Sequence, residues 1–170
     1  MDTFRVGTLT TARLTLIPLA PEHADEMARV LRDPALHTFT GGEPLTADAL
    51  RERYTRLAAG SPDPATHWLN HVVELRAERR LTGTVQATVT RDGTGHTAEL
   101  AWVTGTPWQR RGIATEAVRA LAAALAAAGA DALAAHIHPG HHASAAVATA
   151  LGLTPTDERH DGEIRWHRAL

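Results

Sequence analysis

A chain of 170 residues with 44% hydrophobic content fits one compact domain with a substantial core, and 17 basic against 19 acidic residues leave a formal charge of only -2. That balance gives no global field for nucleic acid or an anionic membrane, and every basic residue other than the histidines is Arg. The absence of Cys excludes disulfides, thiolate metal sites and a Cys nucleophile; with a polar opening and no apolar run near the ~20 residues that span a bilayer, a cytoplasmic location is expected.

In chain order, residues 13–19 alternate, with Leu14, Leu16 and Pro18 on one face, and predict a first strand. Residues 22–32 place Met27, Val30 and Leu31 on one helical side before Asp33-Pro34 stops the run. A loop bearing Phe39, Gly41 and Gly42 follows. Thr46 then caps a second helix that runs to Ala59 with Leu50, Tyr54 and Leu57 on one side. Between residues 68 and 103 the period changes to two, predicting three strands, the last two joined by a turn at residues 91–95 and therefore antiparallel. Ala114, Val118, Leu121 and Leu125 form the stripe of a third helix, ended by Gly129. Residues 131–137 read as a buried strand, 143–151 as a short helix closed by Gly152, and 162–168 as a last strand paired with 154–157.

The segment Trp108-Gln109-Arg110-Arg111-Gly112-Ile113-Ala114-Thr115 lies between a strand and the third helix. A glycine there lets the backbone approach a phosphate, the first-turn amides point outward, and the helix dipole favours negative charge. Arg110 and Arg111 are placed to add charge-assisted contacts, although solvated arginines on an ordinary loop would have the same sequence.

Gln109 through Ala114 resembles the pyrophosphate-binding motif of the GNAT superfamily of N-acetyltransferases, Q/R-x-x-G-x-G/A. Ala98-Glu99-Leu100-Ala101-Trp102-Val103 resembles that family's central strand, and His138-Pro139-Gly140-His141-His142-Ala143-Ser144, closed by Leu151-Gly152-Leu153, its second motif P-x-N-x-A-S. Thr11-Ala12-Arg13-Leu14-Thr15-Leu16 is similar to the opening strand of the branch that includes the ribosomal-protein N-terminal acetyltransferases.

The resemblance implies a single α+β acyl-CoA domain over residues 1–170, with a mixed, mostly antiparallel sheet split like a V and about four flanking helices. It further implies acetyl-CoA as co-substrate with no metal, and a primary amine of a small molecule or protein N-terminus as acceptor. Neither nucleic acid nor membrane is an expected partner, and the state is monomer or homodimer. Trp102, Val103 and Thr104 would meet pantetheine, with the backbone of Val103 and Thr104 pairing like an added strand. Gln109, Arg110, Arg111, Gly112, Ile113, Ala114 and Thr115 would hold the pyrophosphate, and His141 and Ser144 would border the thioester.

Where the motif has Asn this chain has His141, where many members carry a tyrosine acid it has Ala148, and Leu153 replaces the common Phe. Catalysis is then expected from Glu99 as base, directly or through water, and from Ser144 and His141 around the leaving thiolate. Tyr54 lies outside the motif and reads as packing. Two rival readings remain: an acyl-CoA-binding module without turnover, suggested by the missing tyrosine, and a zinc site built from His136, His138 and His141, each of which the second motif can use otherwise. Glu43, Asp157, Glu158, Asp161 and Glu163 fall in segments bordering the acceptor cleft of the resembling family, where they would suit a cationic acceptor.

Overall fold

The computed structural model describes residues 4–93 and 95–170; Met1, Asp2 and Thr3 of the polar opening, and Thr94 of the expected turn, lie outside them. Eight strands form one sheet: β1 (Leu9–Thr10), β2 (Leu14–Pro18), β3 (Thr66–Leu75), β4 (Arg80–Asp92), β5 (Gly95–Thr104), β6 (Ala132–Ile137), β7 (Thr154–His160) and β8 (Glu163–Ala169). Their order is β1-β2-β3-β4-β5-β6-β8-β7; β5 and β6 run parallel, and the other neighbours antiparallel. Four helices accompany the sheet: α1 (Ala24–Val30), α2 (Ala47–Ala58), α3 (Ile113–Ala127) and α4 (His142–Ala150). This is the α+β arrangement expected from the sequence. Among the described residues, no helix is long and apolar enough to cross a membrane.

Strand alternation sorts the sheet into two faces, because paired residues point the same way. Leu14, Leu16, Val73, Val85, Leu100 and Leu133 share one face by register, and all are buried. Burying a Leu or Val side chain contributes about 1.5–3 kcal/mol, so this continuous face is the main stabiliser of the sheet. α3 adds Val118, Leu121 and Leu125, fully buried along the stripe its period predicts, and packs on β2, β4 and β5. On the second face, Val72 and Thr84 are buried, whereas Glu99 and Ala101 on β5 are exposed. The sheet is thus covered over its middle strands and bare beside β5.

Local chemistry explains the boundaries. Thr46 caps α2 by accepting the Ala49 amide at 3.2 Å. α1 is shorter than expected, because Pro21 starts a 3-10 turn and His23 Nδ1 accepts the Ala20 amide. Pro18, expected on the buried face, is exposed: β2 ends there, and the chain turns to bury Leu19, whose amide donates to the Asn70 carbonyl at 2.9 Å. Thr82 is the extra residue of a bulge in β4, between the pairs of Gly83 with Val73 and of Leu81 with Glu74, and its buried hydroxyl donates to the Val73 carbonyl.

Candidate active site

The site begins where two strands part. β5 and β6 pair through Thr97, Ala98 and Glu99 against Ala132, Leu133 and Ala134. Beyond Glu99, β5 continues against β4 while β6 continues against β8, which opens the sheet into a V. Ladder parity decides which peptides face the gap. The Gly105 amide donates to the Thr82 carbonyl, so the peptides of Val103 and Ala101 turn toward β4, and those of Leu100, Trp102 and Thr104 turn toward the split. Gln109 Nε2 already donates to the Thr104 carbonyl at 3.0 Å. By the parallel register the Leu100 amide still donates to the Ala134 carbonyl, so the free strand edge runs from the Leu100 carbonyl through the peptide groups of Trp102. Of Trp102, Val103 and Thr104, grouped by sequence, Trp102 is best aimed into the gap.

A short segment joins β5 to α3, and its conformation is set by Arg110 (φ 60°) and Gly112 (φ 74°), both left-handed. Glycine takes this region freely; a non-glycine residue there is strained, a feature that concentrates at functional sites. Gly112 is the N-cap of α3, and no hydrogen bond engages the amides of residues 110–115 among the described residues. The result is a concave array of donors at a helix N-terminus, with the geometry to hold an anion. Arg13 buttresses it. Its Nε binds Glu116 at 2.7 Å, its Nη1 binds the Arg111 carbonyl at 2.9 Å, and its Nη2 lies beside Gly112. Arg111 itself is paired to Glu78 at 2.8 Å, whose carboxyl the Trp108 indole and Arg111 hold below its ordinary range. Arg110 makes no ion pair among the described residues. A cavity of about 620 Å³ opens next to Gly112 along Thr115, Glu116 and Arg119.

Across the split, the loop from β6 enters α4. His141, at the Asn position of the resembled motif, is the N-cap: its Nδ1 accepts the Ser144 amide at 3.4 Å while its Nε2 lies 3.1 Å from the Ser144 hydroxyl. Ser144 is thus in the first turn rather than at the cap. Nδ1 accepts, so Nε2 carries the ring proton and donates to Ser144 Oγ, leaving the hydroxyl hydrogen free to point elsewhere. Burial, then the nearby charge of His138, holds His141 below the ordinary imidazole range, despite the opposing pull of Glu163. The imidazole is neutral at pH 7. Phe39 from the glycine-bearing loop stacks on His141 at 4.5 Å and tilts against His138 at 5.1 Å. Ala148 is fully buried.

Glu99 stands at the apex of the V, and its Oε1 lies 2.8 Å from His136 Nδ1 on β6. The other two histidines of the presumptive zinc trio are engaged locally, His138 Nδ1 by the Gly140 amide and His141 by Ser144. Among the described residues, no three His, Asp or Glu side chains are gathered as metal ligands. The structure therefore brings together Glu99, Trp102 and the residue 109–115 segment on one wall, and His141 with Ser144 on the other. Sequence reasoning weighed His136 only as a zinc ligand, not as the partner of Glu99, and gave Arg13 no part in the cradle and Phe39 no contact with His141. The alternation of β6 could have put His136 on the Glu99 face, but Arg13 and Phe39 arrive from distant segments with no local signature. Tyr54, by contrast, is buried away from solvent, its hydroxyl without a hydrogen-bond partner among the described residues, and burial pushes its pKa up to about 12.

The Acetyltransferase (GNAT) domain family matches residues 13–154. None of the curated proteins compared with the chain matches it. Among solved structures, the chain is similar to an acetyltransferase from Agrobacterium tumefaciens str. C58, at 25% identity and TM-score 0.72, covering 97% of this chain and 95% of that one. It is similar in fold to a GNAT-family acetyltransferase from Bacillus anthracis (17% identity, TM-score 0.75, 96% and 97% covered). The same holds for RimL, a ribosomal L7/L12 alpha-N-protein acetyltransferase solved with coenzyme A (15% identity, TM-score 0.78, 95% and 97% covered).

Proposed function

The chain belongs to the GNAT acetyltransferase family, and from that premise we propose that it is a cytoplasmic N-acetyltransferase, one domain over residues 1–170, acting as a monomer or homodimer. It transfers the acetyl group of acetyl-CoA to a primary amine of a small molecule or a protein N-terminus. The observation that carries this reading is the pairing of an open amide cradle at residues 110–115 with a strand edge that is free from the Leu100 carbonyl through Trp102. The cradle suits a pyrophosphate, and the free edge suits the amides of pantetheine.

Direct attack by an amine needs a neutral nucleophile, a polarised carbonyl and a stabilised thiolate. Glu99 at the apex, paired with His136, marks the basic end. At the other wall, the Ser144 hydroxyl, already accepting from His141 Nε2, is free to donate to the departing sulfur. A finer placement within the branch of ribosomal-protein N-terminal acetyltransferases rests on the likeness of residues 11–16 alone, where Arg13, just before β2, braces the cradle.

The test is thiol release from acetyl-CoA over a panel of polyamines, aminoglycosides, amino acids and N-terminal peptides. Amine-dependent release is expected for at least one class. Tight acetyl-CoA binding with no release for any amine would favour the acyl-CoA-binding module, to which the buried Ala148 at the tyrosine position is suited.

A further inference from the structure

We infer that His136 is the group that takes the proton from the acceptor amine, with Glu99 behind it as a positioning residue; this deepens the acetyl-transfer reading and rests on it. β5 and β6 last pair at Glu99 and Ala134, and His136 is the next residue of β6 on the same face, just inside the opening. The Glu99 carboxylate reaches across the gap to His136 Nδ1 at 2.8 Å. An ionised carboxylate only accepts, so Nδ1 carries the ring proton, and Nε2 holds a lone pair with no hydrogen bond among the described residues. The edge of the ring rests near His160, with centroids 5.9 Å apart at 62°. The imidazole is 23% exposed and Glu99 52%, so the histidine is the more sheltered and better fixed of the two.

The chemistry also favours the histidine. An alkylammonium has a pKa near ~10.4 and a free carboxylate near ~4.3, while an imidazole at ~6.5 is closer to both the proton it must take and the working pH. In the step, one ammonium proton passes to His136 Nε2 and the nitrogen lone pair forms a bond to the thioester carbonyl carbon. The carbon–sulfur bond then breaks, the second nitrogen-bound proton ends on sulfur, and His136 returns its proton to water.

The charges that bear on His136 are Glu99 from β5, Arg165, His167 and Glu163 from β8, His160 from β7, and His138 from the loop that follows β6. Arg165 is partly neutralised by Glu158 at 3.6 Å.

The experiment compares wild type, His136→Gln, Glu99→Gln and the double variant by turnover against pH, acetyl-CoA affinity and melting temperature. Nitrogen NMR of His136 in the wild type and in Glu99→Gln reports its tautomer and titration. His136→Gln is expected to lose about a hundredfold or more in kcat, to lose the acidic limb, and to keep its acetyl-CoA affinity. Glu99→Gln loses less, because the imidazole stays in place with a weaker partner at Nδ1. The double variant matches His136→Gln, since the pair acts as one unit. NMR should show the proton on Nδ1. A folded His136→Gln with near-wild-type kcat, or with the acidic limb retained, overturns the inference and leaves the acetyltransferase reading intact. A wild type that turns over no amine defeats both.

Discussion

The Ser144 hydroxyl lies 3.1 Å from His141 Nε2, and the same imidazole caps α4 through Nδ1. The helix cap and the hydroxyl beside the leaving group are therefore divided between two residues. Asn at a cap accepts from the first-turn amides, and Nδ1 of His141 does the same while its Nε2–H donates to the serine hydroxyl. A thiolate leaves with a pKa near ~8.5 by analogy with cysteine, so help from a hydroxyl is modest but real. Ser144→Ala is expected to slow turnover about tenfold or more while the melting temperature holds, because the cap stays with His141. Unchanged turnover in a folded Ser144→Ala protein would show that the hydroxyl has no part in the reaction.

The first strands and the segment before them are joined by a buried histidine that periodicity cannot reveal. His71 on β3 is 1% exposed, its Nε2 donates to the Gly7 carbonyl at 3.0 Å, and its Nδ1 has no hydrogen-bond partner among the described residues. Burial holds it below the ordinary imidazole range, against the opposing effect of the Gly7 and Val6 carbonyls. A second proton would land on a nitrogen with nothing to receive it. With the folded-state value depressed, the unfolded chain binds more protons as pH falls through ~6.5, so stability is full above that point and is lost below it. The melting temperature should thus fall between pH 7 and pH 5, before the carboxylates titrate, and should fall less steeply in His71→Leu. Equal slopes in the two proteins would contradict this account. Elements whose signals are local were legible in the sequence: the α3 stripe, the Thr46 cap, and the turn that makes β4 and β5 antiparallel. What was not legible depends on distant partners. No local pattern reports that Pro18 would leave the core to Leu19, or that Gln109 would spend its side chain on the Thr104 carbonyl.

At the scale of the whole molecule, one β-α-β crossover gathers the parts that the function needs. β5 ends in the residue 109–112 turn, α3 begins with free amides, and β6 returns parallel to β5 only as far as Ala134, leaving the V open above Glu99. The cradle was readable because Gln109, Gly112 and Ala114 together fit the spacing of the resembled motif, which a glycine alone would not have decided; the catalytic wall was less so, since Glu99 and His136 are 37 residues apart and meet only through strand register. The central claim is that this turn holds the pyrophosphate of acetyl-CoA, and a calorimetric titration of acetyl-CoA into wild type and Gly112→Asp tests it most directly. Wild type should bind. The substitution places a carboxylate where φ is 74° and where the donors converge, setting negative charge against the phosphates. Gly112→Asp, checked as folded by its melting temperature, should show no measurable binding. An unchanged Kd in that variant would contradict the account.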